Sequence, residues 1–382
     1  MTAPNWNAWR AEFPTLERCT FLNTCSLGAL SRRGRAAVGA FLDLWEEHGA
    51  SAWYRTWMGE IAALRADFAA LVGAPAGSTA IAPSIGAALG VIASSPQLYG
   101  APQSPRSRII TTALDFPTIA HQWLVRPDVE VVILPSDDGI GVPLERYEAA
   151  IDERTALVAT SHVFFTSGYI QPIAEIARLA HAKGALALID GYQAAGQLPV
   201  DVAASDVDFY LTGGLKWLLG GPGIVYLYAR PALVESLVPT TAGWFGHRDQ
   251  FAFDAERFAF HDDARRFEVG TPAVAAVYAG RAGLQIVLEI GPEQLRRRQL
   301  ELTGDMVARL RDAGLHLKLP ARPEEHAGIV MVRADDPAAA VRGLRERRVV
   351  ADYRPGFVRL SPYFYNTEEE SAAAAQALQE FV

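Results

Sequence analysis

Cysteine is almost absent: Cys19 and Cys25 are the only two in 382 residues. Two thiols near one end cannot staple a chain of this length, and neither has histidines at metal-ligand spacing. A disulfide framework and a zinc site are therefore excluded as organising features, and a reduced, cytoplasmic setting is the default expectation. Positive charge is also short, with Lys+Arg 35 against Asp+Glu 43 and a net charge of -8. That balance offers no basic footprint for nucleic acid or an anionic membrane. No apolar run reaches transmembrane length, and the start Met1-Thr2-Ala3-Pro4-Asn5-Trp6 lacks the basic and apolar regions of a secretory signal. Blocks of like charge, internal repeats and low-complexity tracts are missing too, apart from an Ala-rich final helix.

What is present is apolar residues, 50% of the chain, enough for a large core. Helical periodicity covers Arg33 to Glu47 and Ile61 to Val72, the latter stopped by Gly73-Ala74-Pro75. From about residue 80 to 230 short apolar runs alternate with helical segments. The runs are Arg108 to Thr112, Val129 to Leu134, Ala156 to Thr160, Ala185 to Asp190 and Ile224 to Tyr228. Strands apolar on both faces and joined by helices such as Pro172 to Lys183 predict a mainly parallel sheet covered on both sides. A long helical stretch from Ala273 to about Ala313 breaks at Gly291-Pro292. Strand candidates at 329–333 and 357–361 follow. The expected fold class is α/β: residues 1–50 packing on a small domain, 51–290 forming a large domain, and 291–382 a small C-terminal α/β domain. A cleft between the two is the natural ligand site.

Asp190 ends an otherwise apolar strand, where ligands gather in open parallel sheets; by itself it could equally cap the next helix. Further on, Thr212-Gly213-Gly214-Leu215-Lys216-Trp217 sets a lysine among apolar and small neighbours. Desolvation lowers a lysine pKa, as a Schiff-base lysine requires, and a nearby carboxylate can keep a pyridine nitrogen protonated. The pair points to pyridoxal 5'-phosphate (PLP) on Lys216.

From Ser161-His162-Val163 through Gly223 the chain resembles the aminotransferase class V superfamily of PLP-dependent fold-type I enzymes, within its kynureninase-like / cysteine-desulfurase-like branch. Supporting segments are Asn23-Thr24-Cys25-Ser26-Leu27-Gly28, Asp115-Phe116-Pro117-Thr118, Gly243-Trp244-Phe245-Gly246-His247 and Phe267-Glu268-Val269-Gly270-Thr271-Pro272. The resemblance implies a large domain with a mainly parallel seven-stranded sheet. It gives Lys216 and Asp190 the catalytic roles and stacks Phe116 on the ring. Gln193 would meet the phenolic oxygen, and Ser84-Ile85-Gly86 would hold the phosphate at a helix N-terminus. Trp244 and Thr271 would come from a second subunit, which implies a homodimer with shared active sites. Arg359 would clamp the carboxylate of an amino-acid substrate, with Asn23, Ser26 and His247 as further substrate-binding candidates. Ser84 is also simply a good N-cap, and His247 has a structural reading.

Three positions depart from the pattern. Leu215 stands where kynureninases carry Tyr and many class V enzymes His. Gln193 replaces a kynureninase His, and Ile119 an Asp. These separate the chain from hydrolysis of kynurenine itself, and the absence of a C-terminal cysteine argues against cysteine desulfurase chemistry. A lyase-type reaction at Cβ is the leading expectation, with transamination or epimerisation as alternatives. The aromatic segment Trp53 to Trp57 is a candidate pocket lining. A non-catalytic binding module is the reading from another class, opposed by the joint presence of Lys216, Asp190 and Arg359.

Overall fold

The computed structural model describes residues 4–101 and 104–382; Met1 to Ala3 of the start lie outside the described residues. Seven strands form the central sheet: β1 Thr79–Ala82, β2 Arg108–Thr112, β3 Glu130–Leu134, β4 Thr155–Ser161, β5 Leu186–Asp190, β6 Phe209–Gly213 and β7 Val225–Ala229. Their order is β1-β7-β6-β5-β4-β2-β3, and only β7 runs antiparallel to its neighbours. Every residue of β4, β6 and β7 is buried, which is why their sequences carry no polar alternation.

Helices cover both faces. α1 Arg32–His48 is capped by Ser31, whose Oγ accepts from Gly34 N, and α2 spans Met58–Leu71. α3 Ile85–Ala93 begins at Ser84, and α4 Pro117–Leu124 starts on a proline pre-set for a first turn. α5 Ile173–Ala182 buries Ile173, Ile176, Ala177 and Ala180 on one stripe. α6 Val274–Ile290 meets α7 Pro292–Asp312 at 82°. Gly291, at φ 90°, makes that corner and Pro292 restarts the helix. Among the described residues no single helix is long and apolar enough to cross a membrane.

A second sheet combines β8 Leu317–Lys318, β9 Val330–Arg333, β10 Asp352–Arg354 and β11 Phe357–Leu360 in the antiparallel order β8-β9-β11-β10. α8 Pro337–Glu346 and α9 Glu368–Leu378 pack with it. The N-terminal stretch is tied to this unit: Thr20–Phe21 pairs in parallel with Val349–Val350, and Arg10 forks onto Glu370.

Three elements differ from the sequence reading. β1 and β6 are strands it did not single out; Thr212-Gly213 ends β6 on small or polar residues, masking its apolar character. Trp53–Trp57 forms a π-helical turn leading into α2. Its indoles pack on Phe41 and Phe245 rather than lining the central cavity, which corrects the pocket expectation.

Candidate active site

A cavity of about 490 Å³ opens at the carboxyl ends of β4 and β5, under the N-terminus of α3. Strand register brings its floor together, since Ser161 of β4 pairs with Asp190 of β5. Lys216 hangs in the turn after β6, its Nζ 4.7 Å from the Tyr192 ring centroid and 5.8 Å from that of Phe116. Phe116 is exposed toward the opening and meets Phe165 edge-on at 5.3 Å.

Burial is the main reason the Lys216 ammonium is destabilised. Cys25 and Asp190 partly offset this, Arg359 and Arg354 add to it, and the pKa falls to about 8. Asp190 moves the other way, to about 6. Burial again dominates, opposed by the N–H of Tyr192 and the charge of Lys216, with Asp115 raising it further. Asp190 Oδ1 accepts from Tyr192 N at 2.9 Å, while Oδ2 has no partner among the described residues. Burial raises Tyr192 to about 12, so its phenol stays protonated, and holds His162 at about 4, so that imidazole stays neutral. His162 donates its backbone N–H to the Asp190 carbonyl at 2.8 Å and meets Tyr210 through Nδ1.

Two glycines make room for this arrangement. A Cβ on Gly213 would lie 2.4 Å from the Tyr192 hydroxyl, so only glycine lets that ring lie across β6. A Cβ on Gly28 would lie 2.3 Å from the Lys216 carbonyl oxygen, and Gly28 N donates to Leu215 O at 2.9 Å. The Asn23 to Gly28 segment is thus pressed against the lysine turn. Gly28→Ala is expected to destabilise the fold by about 2 kcal/mol, because backbone rather than a flexible side chain must shift; urea denaturation of wild type and variant measures it.

The remaining candidates divide into two groups. Ser84, Ile85, Gly86, Phe116 and Gln193 line the cavity with Lys216 and Asp190. Ser84 Oγ accepts from Ala87 N, so it caps α3 and leaves the first-turn amides to a ligand. Gln193 gives one amide hydrogen to Cys25 O and accepts from Trp217 Nε1, leaving its second hydrogen free for the cavity. Arg359 is buried beside the cavity wall, and its guanidinium is occupied by Ser26, Asp352 and the Phe165 carbonyl. Ser26 therefore belongs to the Arg359 cluster. Asn23 forms a backbone bridge to Ser361, and its Oδ1 is buried without a partner among the described residues.

Trp244, His247 and Thr271 do not reach the Lys216 cavity within one chain. Trp244 packs among Phe245, Phe251 and Phe253. His247 Nδ1 contacts the Ala259 carbonyl at 2.9 Å, and Thr271 lines an adjoining hollow with Glu268. Tyr192, Phe165 and Asp352 were missed as site residues. The first lies two residues past the strand-end Asp190, but its entry into the cavity depends on the space left by Gly213. No cluster of metal-ligating side chains occurs among the described residues.

An amine with a lowered pKa, a carboxylate with an open oxygen, aromatic walls and free helix amides fit PLP, group for group. Fold and site together define a fold-type I PLP-dependent enzyme. More closely, the chain belongs to the aminotransferase class-V family, whose sequence profile matches residues 52–373. An uncharacterized aminotransferase, YcbU, of Bacillus subtilis (strain 168) is 36% identical over 95% of this chain and 94% of its own length. Isopenicillin N epimerase of Streptomyces clavuligerus is 32% identical, covering 99% and 98%. A kynureninase of Bacillus anthracis is 29% identical, covering 95% and 88%. Among solved structures, a cysteine desulfurase from Thermococcus onnurineus NA1 superposes with a TM-score of 0.87 at 20% identity, over 100% of this chain and 98% of that one. At that identity the likeness is one of fold.

Proposed function

We propose that the protein is a PLP-dependent aminotransferase acting on an amino acid, with Lys216 as cofactor anchor and proton carrier. The observation that carries this reading is that, among the described residues lining the cavity, Lys216 is the one basic side chain, the other titrating groups being Asp190 and Tyr192. When bound, PLP supplies an aldehyde for the substrate amine and a ring that accepts electrons from the α-carbon.

The chain's own residues do the rest. Lys216, with a pKa near 8, would take the proton from the substrate α-carbon and deliver it to the carbon that carried the cofactor's aldehyde, both steps being the work of one side chain. One base suffices for amine transfer, whereas breaking a bond at Cβ calls for a second proton donor at the leaving group. Asp190 Oδ2 would hold a proton at the ring nitrogen. Phe116 would cover the ring, the amides of Ile85 and Gly86 beside Ser84 would take the phosphate, and Gln193 would meet the phenolic oxygen. Arg359 serves the substrate carboxylate. Trp244 and Thr271 would reach the phosphate from a second copy of the chain, a homodimer supported by exposed aromatics such as Phe253 around Trp244.

Cβ cleavage stays as a second reading because of Tyr192. It is a phenol that stays protonated and lies beside Lys216, so it could donate to a leaving group. Incubating holoenzyme with a panel of amino acids, without added keto acid, separates the outcomes by mass spectrometry after chiral chromatography. Accumulation of pyridoxamine phosphate is expected. Release of alanine or pyruvate with the cofactor still an aldehyde would replace transfer with Cβ cleavage. Inversion of the amino acid with neither product would replace it with epimerisation.

A further inference from the structure

Arg359 has an internal counter-ion. It sits in the middle of β11, directly opposite Asp352 of β10, with its side chain 1% exposed. A guanidinium so deeply buried costs several kcal/mol unless a carboxylate accompanies it, and the register supplies one. Arg359 Nη2 donates to Asp352 Oδ2 and to Ser26 Oγ, both at 2.7 Å, and Nη1 donates to the Phe165 carbonyl at 3.0 Å. Its Nε is buried and has no partner among the described residues.

Asp352 also has a second cation. Arg354 Nη1 donates to the same Oδ2 at 3.0 Å, and the Arg354 side chain is far more open, at 28% exposure. Two guanidiniums therefore face one carboxylate, leaving one positive charge unmatched. Burial opposes the charge on Asp352, but Ser26, Arg359 and Arg354 outweigh it and hold the pKa at about 2. The carboxylate is thus ionised throughout the working pH range. A substrate carboxylate taking the Nε–Nη2 edge of Arg359 as a bidentate pair finds Nε open and both Nη2 hydrogens engaged. One present acceptor must leave, and Asp352 has another arginine already in contact.

We propose that Asp352 is a specificity-determining residue, an internal carboxylate that occupies Arg359 until a substrate carboxylate displaces it onto Arg354. The proposal rests on the reading of Arg359 as the substrate-carboxylate partner. Every carboxylate ligand then competes with an intramolecular one. Monoanions lacking further contacts lose that competition, while an amino acid also held through its amine wins it.

The test uses holoenzyme and calorimetric titration with propanoate, a carboxylate without an amine, beside propanamide as the neutral control. Asp352→Asn is expected to bind propanoate about tenfold tighter than wild type, the scale of one competing charge-assisted hydrogen bond. Asp352→Glu should restore the wild-type affinity, and propanamide should be indifferent to all variants. Arg354→Met, which strands Asp352 on Arg359, should weaken propanoate binding and raise KM for the responsive amino acid more than it lowers kcat. It gives the same reading if Asp352→Asn folds poorly. Unchanged or weaker propanoate binding by Asp352→Asn, or an unchanged KM in Arg354→Met, overturns the displacement. Arg359→Met separates the two levels. If it abolishes amino-acid binding while Asp352→Asn does nothing, the Arg359 reading survives without Asp352; if amino-acid affinity is unaffected, both fall.

Discussion

Lys216→Ala is expected to lower turnover by on the order of 10³-fold or more, and to remove the visible absorbance of the bound cofactor. The loss should be chemical rather than structural. The backbone of this turn is held independently of the side chain: Leu219 N donates to Lys216 O at 3.1 Å and Gly28 N to Leu215 O at 2.9 Å. Removing a partly desolvated ammonium from the cavity relieves a burial cost, so the melting temperature of the variant apoprotein should not fall. Lys216→Arg keeps a charge in place but supplies no neutral amine near pH 8, and should be as inactive as the alanine variant. Unchanged absorbance and unchanged activity in Lys216→Ala would remove the enzyme assignment as stated.

Asp190→Asn should move activity and stability in opposite directions. With the carboxylate gone, nothing keeps the ring nitrogen protonated, and kcat should fall by on the order of 10²-fold or more, the usual scale for losing one preorganised charge contact. The apoprotein should become more stable. Asp190 is pushed up to about 6 in the fold, from its ordinary value of 3.8. A raised carboxyl pKa gives stability that is fully present below the unfolded value and lost as pH rises through the folded one. At pH 8 that loss is complete and amounts to about 3 kcal/mol, an order-of-magnitude figure from two pKa units at 1.36 kcal/mol each. Asparagine does not ionise and escapes the loss. Urea unfolding of both apoproteins should show a gap at pH 8 that nearly closes at pH 4. A gap independent of pH would mean that burial of the charge is not what destabilises Asp190.

Much of this was legible from residue types in order. An apolar strand ending in Asp190 and a lysine set among Gly214, Leu215 and Trp217 could be read without coordinates, because desolvation and strand polarity are local properties. The reversed direction of β7 could not, since an apolar run buried on both faces carries no sign of orientation. The Asp352–Arg359 pairing has a cue in the sequence. Pro355-Gly356 makes a two-residue turn with Gly356 at φ 77°, setting Arg354 opposite Phe357 and so Asp352 opposite Arg359. Tyr192 was hidden differently: its place depends on Gly213 of a neighbouring strand leaving space for the ring. Trp244, His247 and Thr271 lie away from the Lys216 cavity in this chain, a separation that depends on long-range packing and leaves no mark in local sequence.

The segment from Ser26 to Gly28 has a mechanical meaning. Ser26 Oγ touches Arg359 and Asp352, while two residues later Gly28 bears on the carbonyl of Lys216 with no slack for even a methyl group. On the roles proposed for Arg359 and Lys216, carboxylate recognition and proton transfer would lie at the two ends of one short strut. A shift of the second sheet on ligand binding would then reach the lysine turn as a push or a pull, coupling grip and chemistry in series.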